Sequence, residues 1–252
     1  MKLGWRSLIG AAIMVAANST PLWAGVVLTG TRIIFADGQK EKTIYLQNKD
    51  SYPNLVQIWL DEGDENLNIE NSSAPFVVGP QIFRIQPDAV QTVRLRFLGQ
   101  DQVPQDRESL FYMNFSETPA LKKSASDANR LVVVFKNRIK VFYRPKQIVG
   151  QASELSTHLQ FKLHRQDTQT VLQIHNNSAY FANVKSLSLV ASQHLMGKGV
   201  AKALVVKENE IIAPKSTVQW PVAGNLVDKQ HIRLSLVNDY GVLIEHELPL
   251  QD

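Results

Sequence analysis

The 252-residue chain contains no cysteine. Disulfides, thiol catalysis and cysteine-ligated metal sites are therefore excluded, and the fold must rest on its apolar cores. No charge of one sign dominates. Lys and Arg number 27 and Asp and Glu 23, for a formal charge of +4. The cations are scattered, which reads as solvated surface, and no nucleic-acid partner is expected. Catalytic patterns are missing as well: there is no His-Glu-x-x-His, no Gly-x-Ser-x-Gly and no phosphate-cradling glycine loop. Gly197-Lys198-Gly199 reads as a basic turn, and the pairs Asp61-Glu62 and Asp64-Glu65 as solvated turn residues. The six histidines, His158, His164, His175, His194, His231 and His246, form no ligand cluster; His158 and His164 share one polar face, and no metal or cofactor is expected. The sequons Asn71–Ser73 and Asn114–Ser116 read as accidental.

Lys2 and Arg6 open the sequence, the apolar stretch Leu8–Ala17 follows, and Asn18–Trp23 leads to Ala24. This is the pattern of a secretory leader over 1–24, with cleavage after Ala24. The apolar stretch is about ten residues, where a membrane span needs roughly 20. Losing the leader takes the formal charge from +4 to +2. No later segment is long and apolar enough to span a bilayer, so direct membrane insertion is not expected.

The remainder reads as strands. β-branched and aromatic runs bounded by turn residues recur from Gly25–Phe35 through Gln91–Phe97, Ser109–Phe115 and Leu131–Tyr143 to Val242–Leu248. About seven lie on each side of Pro145, which fits two β-sandwiches of roughly 100 residues joined near Pro145–Gly150. In Gln91–Phe97, Val93, Leu95 and Phe97 alternate with Arg94 and Arg96, as in a strand with one face in water. Leu159, Phe161 and Leu163 alternate in the same way with His158, Gln160 and Lys162. No helix of ordinary length is expected; Asp101–Glu108 could hold one turn.

One run breaks the alternation. Leu131-Val132-Val133-Val134-Phe135 is apolar on both faces. A two-sheet sandwich covers only one face of each sheet. Either a loop or the second domain covers the other face, or a partner protein does; the pattern leaves both open.

The run Val103-Pro-Gln-Asp-Arg-Glu-Ser-Leu-Phe-Tyr-Met-Asn114, with Pro119 after it, is specific. With Thr31–Phe35, Lys140–Pro145, Asn176–Phe181 and Asn238–Gly241, it resembles the periplasmic chaperones of the chaperone–usher pathway over nearly the whole mature chain. The resemblance implies an all-β fold: two immunoglobulin-like β-sandwich domains, 25–146 and 147–252, set at an angle with a cleft between them. The departures are a single proline in Gly79-Pro80, Phe115 in an aliphatic position, and the lack of a disulfide. A loop of about 15 residues before Leu131 is similar to the short-loop subfamily.

The same resemblance implies a mechanism and its residues. Pilus or fimbrial subunits lack their last strand, and the chaperone fills the gap with one of its own, a mode of recognition for which this system is the named example. Leu131, Val133 and Phe135 would enter the subunit groove, with Val132 and Val134 facing the chaperone's own core. Arg32 and Lys140 would hold the subunit's C-terminal carboxylate. Lys140 has the opposite parity to the donor residues, so a bulge or a strong twist around Lys136–Arg138 is expected to re-aim it. Glu108, Arg144 and Asp239 would form an ion-pair network between the domains. Handover at an outer-membrane usher, a periplasmic location and no catalysis complete the expectation. Free of client, the Leu131–Phe135 edge is expected to favour self-association. A pilus subunit or adhesin would instead need a donor extension ahead of the Arg32 strand, and little chain is left there. A periplasmic hydrolase would need a paired acid–base site, which the chain does not offer.

Overall fold

The structure, a computed structural model, describes residues 25–63, 74–99, 102–120, 131–166, 169–191, 203–223 and 230–251. The leader, Asp64-Glu65, Asn71–Ser73, His194 and Gly197–Gly199 lie outside them.

The first half of the chain forms β1 (Val26–Leu28), β2 (Arg32–Ala36), β3 (Lys42–Asn48), β4 (Asn54–Asp61), β5 (Phe76–Gly79), β6 (Ile82–Ile85), β7 (Val90–Phe97), β8 (Ser109–Pro119) and β9 (Phe135–Arg144). Two sheets, ordered β1-β3-β7-β5 and β2-β9-β8-β4-β6, face each other. A short 3-10 helix, Ala152–His158, opens the second half. It continues with β10 (Leu159–Gln166), β11 (Gln169–Asn176), β12 (Ala182–Ala191), β13 (Ala203–Ile212), β14 (Ser216–Val222), β15 (Gln230–Val237) and β16 (Leu243–Pro249), in sheets ordered β10-β11-β14 and β13-β12-β15-β16. The architecture is therefore all-β, with two immunoglobulin-like sandwiches and a separate apolar core in each.

Alternation builds the cores. Val93, Leu95 and Phe97 of β7 are buried while Arg94 and Arg96 face water. Phe97 stacks on Tyr143 at 3.9 Å between ring centres, and Phe35 meets Phe76 edge-on at 5.8 Å, tying the two sheets together. In the second core, Leu159 and Phe161 are buried and Leu163 packs against them.

Each sandwich uses the same asparagine device. Asn48 Nδ2 donates to Tyr52 O (2.8 Å) and Ile85 O (3.3 Å), and its Oδ1 accepts the amide of Asp50 (3.0 Å). Asn176 Nδ2 donates to Tyr180 O (2.8 Å) and Ile212 O (3.3 Å), and its Oδ1 accepts the amide of Ser178 (3.0 Å). Both asparagines are buried, and their amides satisfy backbone groups that leave the ladder at a strand end.

The structure departs from the sequence expectations at four places. Gly25–Phe35 is two strands, because the chain crosses between sheets at Thr29–Thr31, with Gly30 at φ +102°. The ladder expected from Leu131 begins only at Phe135. Of the turn considered over Asp101–Glu108, Gln102 is in a 3-10 turn with its amide on Gly99 O (2.9 Å), and residues 103–107 are irregular. The helix Ala152–His158 was not foreseen, and His158 belongs to it rather than to β10.

Candidate functional site: the interdomain cleft and the donor edge

The site is organised by β9, whose two faces meet different surroundings. On one face each residue has a partner in the first sandwich or across the cleft. The Lys136 ammonium lies 5.2 Å from the centre of the Trp59 ring, and Arg138 pairs with Asp61 at 2.7 Å. Lys140 Nζ donates to Asn183 Oδ1 (3.2 Å), and Phe142 meets Phe181 at 6.0 Å. Arg144, at the end of the strand, bridges both domains. Its Nε donates to Glu108 Oε1 (2.5 Å), and Nη1 and Nη2 hold the two oxygens of Asp239 at 2.7 Å each. The opposite face carries Val141 and Tyr143 into the first core and turns Phe135, Asn137 and Ile139 toward a cavity.

Two turns bring the second domain to Arg144. Asn238 Oδ1 accepts the amides of Tyr240 (3.0 Å) and Val242 (2.9 Å), which shapes Asn238–Gly241 and presents Asp239. Gly241 sits at φ +79°, and a methyl group there would strike the Thr31 side chain, so this approach of the domains requires glycine. The Asn176 device shapes the segment before Phe181, whose amide donates to Glu108 Oε2 (2.8 Å), while Glu108 N donates to Ala179 O (2.9 Å). Glu108 is almost fully enclosed, its side chain 2% exposed. Burial pushes its carboxyl above the usual range, against the pull of Arg144 and the Phe181 amide. Burial also opposes the charge on Arg144, but its bonds to Asp239 and Glu108 outweigh that and hold it firmly protonated.

Arg32 stands directly opposite Lys140 in the parallel β2–β9 pair. Its Nη1 donates to Val237 O of the second domain (2.9 Å), while its buried Nε has no partner among the described residues. Burial lowers the pKa of both cations; Lys140 is lowered further by Arg32, whereas Asp239 and Glu108 partly restore Arg32. Two desolvated cations with an unspent N–H make an anion-accepting cleft, suited to a carboxylate.

Beyond Ile139, toward its N-terminal end, β9 is open. β2 pairs only with Lys140–Arg144, so Phe135–Ile139 is paired with β8 on one side and with no described strand on the other. Leu131 is 90% exposed and Phe135 60%. Together with Val133 they line a cavity of about 650 Å³ at the mouth of the first sandwich, between β9, the end of β8 and β1. An unpaired backbone edge beside apolar side chains is a template for another strand.

Three expectations are corrected here. Val132 and Val134 do not face the chain's own core; they are 40% and 54% exposed, because the segment precedes the ladder. No bulge re-aims Lys140: the β8–β9 register runs unbroken from Ser109↔Tyr143 to Glu117↔Phe135. None is required, since the cleft lies on the face of β9 opposite the cavity. Asp61 is not a solvated turn residue. It is fully buried and accepts bonds from Asn114 Nδ2 (2.6 Å), Arg138 Nη2 (2.7 Å) and Gly63 N (2.8 Å).

Two partly desolvated cations beside an unpaired strand edge are the chemistry of a protein that holds another polypeptide. The chain belongs to the pilus-assembly chaperone family: residues 25–149 match the family described as pili and flagellar-assembly chaperone, PapD N-terminal domain, and residues 154–248 match the pili assembly chaperone PapD, C-terminal domain. The chain is 33% identical to the probable fimbrial chaperone YadV of Escherichia coli (strain K12), over 91% of each chain. It is 28% identical to the chaperone protein FimB/FhaD of Bordetella pertussis, over 98% of this chain and 99% of that one. The crystal structure of the YadV chaperone superposes with a TM-score of 0.72, covering 90% of this chain and all of that one. That of the Pseudomonas aeruginosa CupB2 chaperone, 27% identical, gives the same score over 89% of this chain and all of that one.

Proposed function

We propose that this chaperone works in the periplasm by lending β9 and the segment before it to pilus or fimbrial subunits, which it then delivers to an outer-membrane usher. Leu131, Val133 and Phe135 enter the groove of the subunit, and its backbone pairs with the open edge Phe135–Ile139. Arg32 and Lys140 hold the subunit's C-terminal carboxylate and so fix the register of the added strand. Glu108, Arg144 and Asp239 keep the two domains at the angle that shapes the cleft. The leader 1–24 is removed on export, leaving 25–146 as the donor domain and 147–252 as its companion.

The observation that carries this reading is the lower part of β9. Leu131, Val133 and Phe135, at its start and just before it, are exposed and turned to an open cavity, while one backbone edge of Phe135–Ile139 has no described partner. Such an edge has to be covered or it associates with copies of itself, and self-association in the absence of client is part of the proposal. The relatives' names, probable fimbrial chaperones in Escherichia coli and chaperone proteins in Bordetella pertussis and Haemophilus influenzae, are consistent with it.

The test is recovery of the tagged protein from its native periplasm beside an Arg32→Ala/Lys140→Ala variant of equal stability. Subunits at about one per chaperone with the wild type, and none with the variant, is the expected result. Equal recovery with both would remove the carboxylate anchor, and no subunit with a folded wild type in a piliated cell would overturn the whole reading.

A further inference from the structure

Near the end of β8, Glu117 is 5% exposed and accepts the amide of Val26. Among the described residues it has no cationic partner. Burial pushes its carboxyl up, and the negative charge of Asp50 adds to this. The titratable groups lining this mouth are Asp50, Tyr52 and Glu117, so none supplies a positive charge. A lone buried carboxylate beside a second one is costly unless a cation joins it.

The nearest backbone is that of Gly25. A methyl group on Gly25 would overlap the Glu117 carboxyl, and Gly25 also sits at φ +24°, so glycine is needed on both counts. Gly25 is held there: its carbonyl accepts the Lys49 amide (2.9 Å), and Val26 pairs with Asn48 in the β1–β3 ladder. In the full-length chain the Gly25 nitrogen is a neutral amide. Hydrolysis of the Ala24–Gly25 bond by a leader peptidase consumes one water. It leaves a carboxylate on the departing Ala24 and an amine on Gly25, which takes up a proton at neutral pH. That –NH3⁺ brings a full charge and three donors to a buried acid that has no cationic partner among the described residues.

We propose that Glu117 is the built-in counter-ion for the α-ammonium created on Gly25 by leader removal. The inference rests on cleavage after Ala24, proposed above. Glu117 lies opposite Phe135 in the β8–β9 register, so the ion pair anchors the new N-terminus beside the start of the donor edge. β1 reaches its full hold on the sandwich only after processing, and the precursor is correspondingly less stable than the exported protein.

The experiment begins with the intact mass of the exported protein, followed by an NMR titration of the Gly25 α-amine. The expected mass starts at Gly25, and the expected amine pKa lies about one unit above its ordinary range of roughly 7.7–8.0, a tenfold tighter hold on the proton. Thermal unfolding is then compared for the mature protein and a form with three extra N-terminal alanines, each with Glu117 or Glu117→Gln. The extension should lower Tm in the first background and leave it unchanged in the second. A mass starting elsewhere overturns the leader reading and this inference with it. A Gly25 start with an ordinary or lowered amine pKa, or an extension that costs the same in both backgrounds, overturns the inference alone. The titration uses the wild type and decides the matter even if Glu117→Gln fails to fold.

Discussion

Arg32 and Lys140 are direct partners across a parallel strand pair, so two positive side chains leave the same face of the sheet side by side, both partly withdrawn from water. Neither is neutralised by the other, and the nearest acids, Glu108 and Asp239, are engaged by Arg144. The cleft therefore stores an electrostatic cost in the free protein that a carboxylate placed between them would relieve.

Lys140→Met is expected to stabilise the free protein while abolishing subunit capture. The gain is about 0.5 kcal/mol, after discounting for the partial exposure of Lys140, or ~1–2 °C in Tm. Its pH dependence has a definite sign. Burial and Arg32 hold the folded-state pKa of Lys140 below the ordinary lysine value. In the window between the two, the unfolded chain binds more protons, so wild-type stability from this group rises with pH. Denaturant unfolding should find the advantage of the variant at pH 7 shrinking as the pH approaches about 10.4.

Phe135→Ala is expected to leave the free protein within about 0.5 kcal/mol of wild type, since the ring is already in water. Subunit binding should weaken by roughly 10- to 100-fold, the value of burying one large apolar side chain. Unfolding curves and titration calorimetry with one purified subunit separate the two effects.

Removing either acid from Arg144 should loosen the domains, but unequally. Glu108 is enclosed and also receives the Phe181 amide, whereas the Asp239 side chain is 34% exposed. Glu108→Ala is expected to cost about 3–5 kcal/mol and Asp239→Ala about 1 kcal/mol, with a larger radius of gyration for both. Chemical denaturation and small-angle scattering measure these.

Asp61→Asn tests a buried centre two strands from Lys140 on the same sheet. The substitution removes the charge that Arg138 pairs with and sets an amide against Asn114. A loss of about 1.5–3 kcal/mol is expected, with subunit affinity unchanged once the protein is folded. Arg138→Met at the same time should recover part of the loss, since no unpaired cation is then left behind.

The strand pattern of β7, the break after Arg144 and the doubly apolar run before β9 were all legible in the sequence, because each is a local rule written in consecutive residues. Asp61 was not: its acid sits next to Glu62 and Gly63, as in a turn, and the arginine that pairs with it is 77 positions away. The cleft was legible only in part. Arg32 and Lys140 stand out as residues, but Arg32 is oriented by the carbonyl of Val237, and a carbonyl has no sequence signature. The crossing at Gly30 and the late start of β9 were hidden for a related reason, since β-branched residues such as Val132–Val134 favour extended chain whether or not a neighbour completes the ladder.

β9 runs without a bulge from Phe135 to Lys140. A straight strand rises about 3.3 Å per residue, so Phe135 and Lys140, the donor residue and the anchor proposed above, stand ~16 Å apart on a stiff rod. The rod is a ruler. A chain gripped by its terminal carboxylate at one end must offer its groove at the other, so a last segment one residue too long or too short meets the wrong side chain. On the proposed mode of binding, length thus becomes a criterion of choice among candidate cargoes, read by spacing and independent of which side chains the cargo carries.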